Sequence, residues 1–378
     1  MSAVLPSTAH TDDAERADAR LAWARAASGD AALHLARASM DAGFRSYWRG
    51  DANGLSRIVM DSPPALEDVR PWLRIRDLLE RGGVRVPHVL ARDVESGFLL
   101  LEDLGGATCL QALDTLDAEI VKDAARFFED GEKMQLSYAV RNTHRTIGTR
   151  TSSLIVQKFG MRNNLQPDHL TVRLTGSAGQ SLGAFAAPGL KIEVSGDAND
   201  YVGKGLSGGT IVVRPPMASP LVASDNTIIG NTVLYGATDG YLFAAGRAGE
   251  RFGVRNSGAK VVIEGCGSNG CEYMTGGVAV ILGRIGANFG AGMTGGMAYL
   301  YDPQGVARDY INPETLVMCP VTKDHWENQL KSLVERHFKE TGSRRAGEIL
   351  ADWEIEKTNF LQVCPKEMLI HLPHPIMD

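Results

Sequence analysis

The chain has 378 residues, 44% hydrophobic and 22% charged, which are the proportions of an ordinary folded protein and exclude wholesale disorder. Thirty-nine Lys and Arg against 45 Asp and Glu leave a net charge of -6, which removes the electrostatic basis for general binding of nucleic acid or anionic membrane. No apolar run approaches the roughly 18 residues of a membrane span and the acidic N-terminus has no apolar signal core, so small molecules or other proteins are the expected partners.

The length predicts two or three domains. Residues 1–113 read as a small α/β region. Residues 12–28 are rich in Ala and Arg with helical periodicity, and 58–60 and 98–101 are short apolar runs that read as strands. Between those runs, 65–81 reads as a helix with Glu67 and Asp68 in its first turn, Pro71 early enough to be tolerated, and Gly82-Gly83 ending it. A second amphipathic helix is expected over 117–130, with Ile120, Ala124, Phe127 and Phe128 on one side. It opens a leader segment, 114–160, of one helix and entering strands.

The chain then changes character. Of its 42 glycines, 28 fall between Gly176 and Gly305. Small-residue turns recur there, each followed by a β-branched or aromatic run. Thr238-Asp239-Gly240 precedes YLF, Ser257-Gly258-Ala259 precedes KVVIEG, Thr275-Gly276-Gly277 precedes VAVILG, and Thr294-Gly295-Gly296 precedes MAYLYD, at spacings of 19, 18 and 19 residues. Upstream, Ser207-Gly208-Gly209 precedes TIVV at a spacing of 31, so about a dozen residues around PPMASPLVASDN must loop out of the repeat. The strand-like segments LTVRL (170–174) and LKIEV (190–194) continue the series backwards.

A period this short leaves no room for a crossover helix and matches one coil of a parallel β-solenoid. The fold class expected is therefore mostly β: a solenoid over 161–310, about seven coils, with a helical tail over 311–378. The glycines expected at its corners are Gly203, Gly205, Gly208, Gly209, Gly240, Gly258, Gly276, Gly277, Gly290, Gly292, Gly295 and Gly296. Three segments also satisfy the GxGxxG dinucleotide pattern, beginning at Gly203, Gly265 and Gly290. The pattern binds pyrophosphate only when a helix follows, and here strand-like sequence follows, so corner roles are preferred.

Five scattered cysteines, Cys109, Cys266, Cys271, Cys319 and Cys364, fit a reducing compartment, with cytoplasm as the default location. Cys266 and Cys271 stand as C-x4-C without a second pair at usable spacing, so buried thiols are preferred to a metal site. His144 and Arg145 read as a cap or contact, His325, His371 and His374 as isolated, and Met274 and Met293 as stacked core residues.

RNTHRTIGTRTSSLIVQKFG (141–160), GDANDYVGKGLSGGTIVV (196–213), RFGVRNSGAKVVIEG (251–265) and GCEYMTGGVAVILGRIGANFGAGMTGGMAYLYD (270–302) resemble the C-terminal GXGXG domain of the glutamate synthase large subunit. The resemblance covers about 115–370 and implies a right-handed β-helix with a helical tail, which 325–343 and 344–357 fit. Cys266 with Ser268-Asn269 departs from the family's more usual turn. In that family the domain is a scaffold, and FMN and the iron–sulfur cluster belong to other domains. The resemblance thus implies no catalytic, cofactor or metal residue on this chain, and partners that are other glutamate synthase domains or subunits, or another copy of itself.

The N-terminal region resembles a different family. MDAGFRSYWRG (40–50), SRIVMDSPPALEDVRPWLRIRDLLERGGVRVPHVL (56–90) and GFLLLEDLGGATCLQAL (97–113) are similar to the N-lobe of aminoglycoside-phosphotransferase-like bacterial amino-sugar kinases. The resemblance implies a strand pair near 44–49 over nucleotide phosphates and a hinge at Glu102-Asp103-Leu104. The C-lobe aspartates and asparagine that phosphoryl transfer needs do not follow the hinge, and Arg57 and Met60 are the nearest residues to the lobe's lysine position. Two functions of different class result: a scaffold of glutamate synthase type fused to a lobe fragment, or an enzyme, acting in glutamate synthesis in trans or as an ATP-dependent amino-sugar kinase.

Overall fold

The computed structural model describes residues 9–40, 44–105, 116–161 and 165–377, and the chain divides into two units, Met1–Leu113 and Asp114–Asp378. The first unit holds helix α1 (Ala9–Ser28), strands β1 (Ala36–Met40), β2 (Ser46–Ala52) and β3 (Leu55–Asp61), helix α2 (Arg70–Arg81), and strands β4 (Val89–Asp93) and β5 (Phe98–Glu102). The strands form one antiparallel sheet in the order β1-β2-β3-β5-β4. Residues alternate between its faces. Val59 and Leu100 pack with Ala24 and Leu33 on one face, and Met60, Leu99 and Leu101 with Val69 on the other. Arg16 and Arg20 of α1 both donate to the buried Asp61 carboxylate at 2.9 Å.

Helix α2 starts five residues later than the sequence suggests. Pro71 lies in its first turn, and a helix running through from residue 65 would set the proline ring against the carbonyl of Glu67. The amides of Leu66 and Glu67 instead turn back to Pro63 O at 2.9 Å.

The second unit opens with α3 (Leu116–Asp123) and α4 (Ala125–Asp130), where one helix was expected; Ala124, at φ -83 and ψ 18, breaks it. Ile120, Ala124 and Phe127 are fully buried and Phe128 half-buried, so the break leaves the apolar side intact. Strand β6 (Met134–Val140) and helix α5 (Thr149–Phe159) follow. The buried Asp117 caps α5: its carboxylate accepts the amides of Gly148 (3.0 Å) and Arg150 (2.7 Å) and the Thr151 hydroxyl (2.6 Å).

Next come β7 (Leu170–Ala178), β8 (Leu190–Ala198), β9 (Ser207–Arg214), the short β10 (Thr227–Ile229), β11 (Asp239–Ala244), the two-residue β12 (Arg247–Ala248), β13 (Ser257–Ile263), β14 (Thr275–Ile281) and β15 (Gly295–Tyr301). Strands β6, β7, β8, β9, β11, β13, β14 and β15 pair in that order, all parallel. Their register stacks Leu136, Val172, Ile192, Ile211, Leu242, Val261, Ala279 and Ala298 in one row. With the row of Leu174, Val194, Val213, Ala244, Ile263, Ile281 and Leu300, it fills the unit's larger core. The parallel ladder begins at β6, ahead of residue 161 where the glycine repeat placed its start.

Strands β16 (Leu316–Pro320) and β17 (Phe360–Pro365) close the sheet antiparallel, β17 lying between β15 and β16. Helices α6 (Asp324–Thr341), α7 (Arg344–Ala351) and α8 (Trp353–Glu356) form the tail. Trp326, Leu330, Leu333, Val334 and His337 recur at helical spacing along α6. They cover the opposite face of the sheet, packing with Val212, Phe243, Val262, Val280 and Tyr299.

Candidate functional site

The glycine turns are the region the sequence singles out, and their geometry follows a rule wider than glycine. At 181/183/185, 201/203/205, 232/234/236, 251/253/255, 269/271/273 and 288/290/292, three alternating residues have φ between 53 and 70, in the left-handed region. Gly203, Gly205, Gly290 and Gly292 belong to these triplets. So do Phe185, Leu234, Arg255, Cys271 and Tyr273, which carry no composition signal. Only the recurring offset from one glycine turn to the next, 18 to 20 residues except for one step of 31, could have found them.

Backbone hydrogen bonds explain why so strained a conformation recurs. The first and third amides of a triplet donate onward along the stack: Tyr201 N to Asn231 O and Gly205 N to Tyr235 O, both at 2.9 Å. The middle amide donates backward, as Gly203 N does to Leu182 O at 2.8 Å and Cys271 N to Phe252 O at 2.6 Å. Alternate left-handed residues point successive amides in opposite directions, so each turn bonds to both neighbours.

Side-chain room then decides where glycine is obligatory. The exposed ring of Tyr273 lies over Gly292 and that of Phe185 over Gly205, so a Cβ at either glycine would enter the ring. The glycines at strand entrances divide into two groups. Gly208, Gly240, Gly277 and Gly296 have positive φ. Gly209, Gly258, Gly276 and Gly295 do not, and are needed for space: a Cβ on Gly276 would stand 2.9 Å from the carbonyl carbon of Ser257, and on Gly209 2.9 Å from Ala186 Cβ. Asn256, fully buried, braces one entrance by accepting the amides of Gly258 (3.2 Å) and Ala259 (2.9 Å) and donating to Ala259 O (3.0 Å).

The donor sets do not fit a cluster or a dinucleotide. Cys266 and Cys271 are in the core of the parallel ladder, whereas Cys319 and Cys364 are in the core under α6. Burial pushes the Cys266 thiol up to about 12 and that of Cys364 to about 11, and raises the other two as well, which disfavours the thiolates that metals require. Among the described residues no three His, Cys, Asp or Glu side chains are grouped to hold a metal. Cys109 lies outside the described residues. The GxGxxG segments from Gly203, Gly265 and Gly290 run on to strands β9, β14 and β15, so none offers a helix N-terminus to a pyrophosphate. Met274 and Met293 are buried in the larger core, and His144 Nδ1 accepts the amide of Arg141 within its own turn.

The family model for the GXGXG motif matches residues 117–366, all within the second unit. The chain is 68% identical over 263 residues to the glutamate synthase (NADPH) large chain of Azospirillum brasilense, covering 70% of this chain and 17% of that protein. It is 51% identical over 229 residues to ferredoxin-dependent glutamate synthase 2 of Synechocystis sp., covering 61% and 15%. With glutamate synthase (NADH) of Schizosaccharomyces pombe it shares 46% identity over 252 residues, covering 67% and 12%. The chain thus spans less than a fifth of the length of these relatives. Extending over 250 residues of shared pattern, the match shows that this chain belongs to the GXGXG family and carries the domain of that family found in glutamate synthase large chains.

Proposed function

We propose that the second unit acts in glutamate synthesis, in the cytoplasm, as a non-catalytic scaffold that other glutamate synthase domains pack against. The parallel ladder and its stacked turns are read as a right-handed β-helix of GXGXG type, with the antiparallel β16–β17 pair and α6–α8 as its closing tail. The observation that carries this reading is the bonding of the glycine turns to one another. Their amides are consumed along the stack, their interior is filled by aliphatic side chains, and their cysteines are buried as neutral thiols.

The test uses a glutamate synthase large chain deleted of its own GXGXG segment. Mixed with this chain, it is expected to co-elute on size exclusion and to regain part of its activity. No association at about 10 µM of each, or activity in this chain alone, would overturn the scaffold reading. The purified chain is further expected to show no stoichiometric absorbance at about 450 nm, where oxidised flavins absorb.

For the first unit, the sheet order β1-β2-β3-β5-β4 with α2 between β3 and β4 supports the reading as a kinase N-lobe-like fold. Asp103 of the hinge segment accepts both Arg49 Nε (2.7 Å) and Nη2 (3.1 Å). At the lysine position Met60 is fully buried, and Arg57 donates to the carbonyl of its neighbour Ser56. A lobe with no lysine at that position lacks the usual cation for holding nucleotide phosphates from β3. Incubation with ATP and amino sugars is therefore expected to yield no phosphorylated product.

A further inference from the structure

Arg247 of β12, Glu264 at the end of β13, Arg284 after β14, Asp302 after β15 and Arg345 of α7 meet around one cavity of about 610 Å³ in the second unit. The parallel stacking brings the first three together: Ala248 N donates to Gly265 O at 2.8 Å, and Cys266 N to Arg284 O at 2.9 Å. The size is that of a site for a small molecule.

The charges around it are unevenly committed. Asp302 is occupied, accepting the amides of Val306 (3.0 Å) and Ala307 (2.9 Å), which orders the rim. Among the described residues none of the three guanidiniums makes a hydrogen bond or ion pair, and Arg247 Nε is shut off from solvent without a partner. Glu264 is 1% exposed. Its Oε1 accepts the Ser343 hydroxyl and stands 3.7 Å from His337 Nε2, while its Oε2 is buried with no partner. An acceptor buried in that way costs free energy comparable to a lost hydrogen bond until something donates to it.

We infer that this cavity binds a small organic anion that also carries an ammonium or hydroxyl group, the anionic oxygens facing Arg247, Arg284 and Arg345 and the donor facing Glu264 Oε2. Guanidiniums pair oxyanions in forked geometry, and an ammonium next to the carboxylate supplies the donor that Glu264 Oε2 lacks. The exposed Asp225, also at the wall, disfavours ligands that are anionic throughout and so favours the mixed one. The inference is independent of the scaffold reading, since the site lies wholly within this chain.

Calorimetry on the full chain distinguishes the sources of such an anion, with L-aspartate, succinate and inorganic phosphate as probes. L-Aspartate is expected to bind at least about tenfold tighter than succinate, which lacks the donor. Arg284→Gln and Arg345→Gln, both on partly or fully exposed side chains, are each expected to weaken aspartate at least about tenfold while leaving circular dichroism unchanged. Glu264→Gln is expected to erase the preference for aspartate over succinate. Should that buried variant fail to fold, the two arginine variants still decide. The inference is overturned by no binding of any probe up to about 10 mM, by equal binding of succinate or phosphate and aspartate, or by arginine variants that bind aspartate as the parent does.

Discussion

The outer face of the parallel sheet differs between its two ends, although the inner face is apolar throughout. At the β6–β8 end it presents Ser137, Arg173 and Glu193, and at the β9–β15 end Val212, Phe243, Val262, Val280 and Tyr299, along one continuous row of the register. The apolar stretch lies beneath α6. At the other end Lys191, the neighbour of Ile192 in β8, donates to Glu340 of α6 at 2.7 Å and lies 2.9 Å from Glu193 and 3.5 Å from Asp168. One helix is thus fastened to a single sheet by hydrophobic burial over most of its length and by ions near its C-terminus. Identical backbone stacking supports both, so what differs is side-chain chemistry alone.

The largest effect is expected where burial does the fastening. Phe243→Ala should cost about 3–5 kcal/mol in urea unfolding of the full chain, because the ring is fully enclosed under α6. A cost below about 1 kcal/mol would mean that the helix is not seated on this face. Lys191→Ala should cost about 2–3 kcal/mol, since it leaves three carboxylates facing one another with part of their surface in solvent. A Lys191→Met variant as stable as the parent, beside a destabilised Lys191→Ala, would show the stem, not the charge, to matter.

The turns shared by both ends should respond alike. Gly277→Val meets a left-handed φ of 83 and Gly209→Val the crowding of Ala186; each is expected to lower stability by about 1–3 kcal/mol. Unchanged melting temperatures in both would remove glycine's structural role. The ionic end should impose a pH profile of its own. Burial pushes the Glu193 carboxyl up, but the Lys191 ammonium and the Arg173 guanidinium together outweigh it and hold it below its ordinary 4.5, so this stabilisation is present above pH 4.5 and is lost as pH falls through the lowered value. Burial likewise opposes the Lys191 charge, but bonds to Glu340 and Glu193 raise it above 10.5, so its part is full below pH 10.5 and is lost as pH rises through the raised value. Lys191→Ala should flatten both limbs. The smallest effect is expected from Arg173→Ala, whose exposed pair with Glu193 at 2.9 Å should contribute less than about 0.5 kcal/mol.

Strands β11, β13, β14 and β15 were legible in the sequence because each pairs a small-residue turn with a run of Val, Ile, Tyr or Phe at a spacing of 18 or 19 residues. The left-handed Leu234, Arg251, Cys271 and Tyr273 were not, since their conformation is imposed by the turns stacked on either side and local propensity argues against it. The break at Ala124 is equally silent, alanine being the best helix former. Strand β6 lies outside the glycine-rich stretch and is recognised only by its partner β7. The cavity is hidden for a topological reason: Arg247 and Arg345 are distant in the chain, and neither α7 nor β12 has a motif that announces the other.

The segment between Arg214 and Thr227 has a consequence for how this chain can change length. Every triplet must meet its neighbours amide for carbonyl, so one residue added within 251–255 or 269–273 would unpair that turn from the two stacked against it. Residues 215–222 stand outside that count, with Met217 90% exposed and Leu221 and Val222 also at the surface. They are a splice point, where a tag, a loop of another protein or a whole domain could be set into the chain without disturbing the stack on either side.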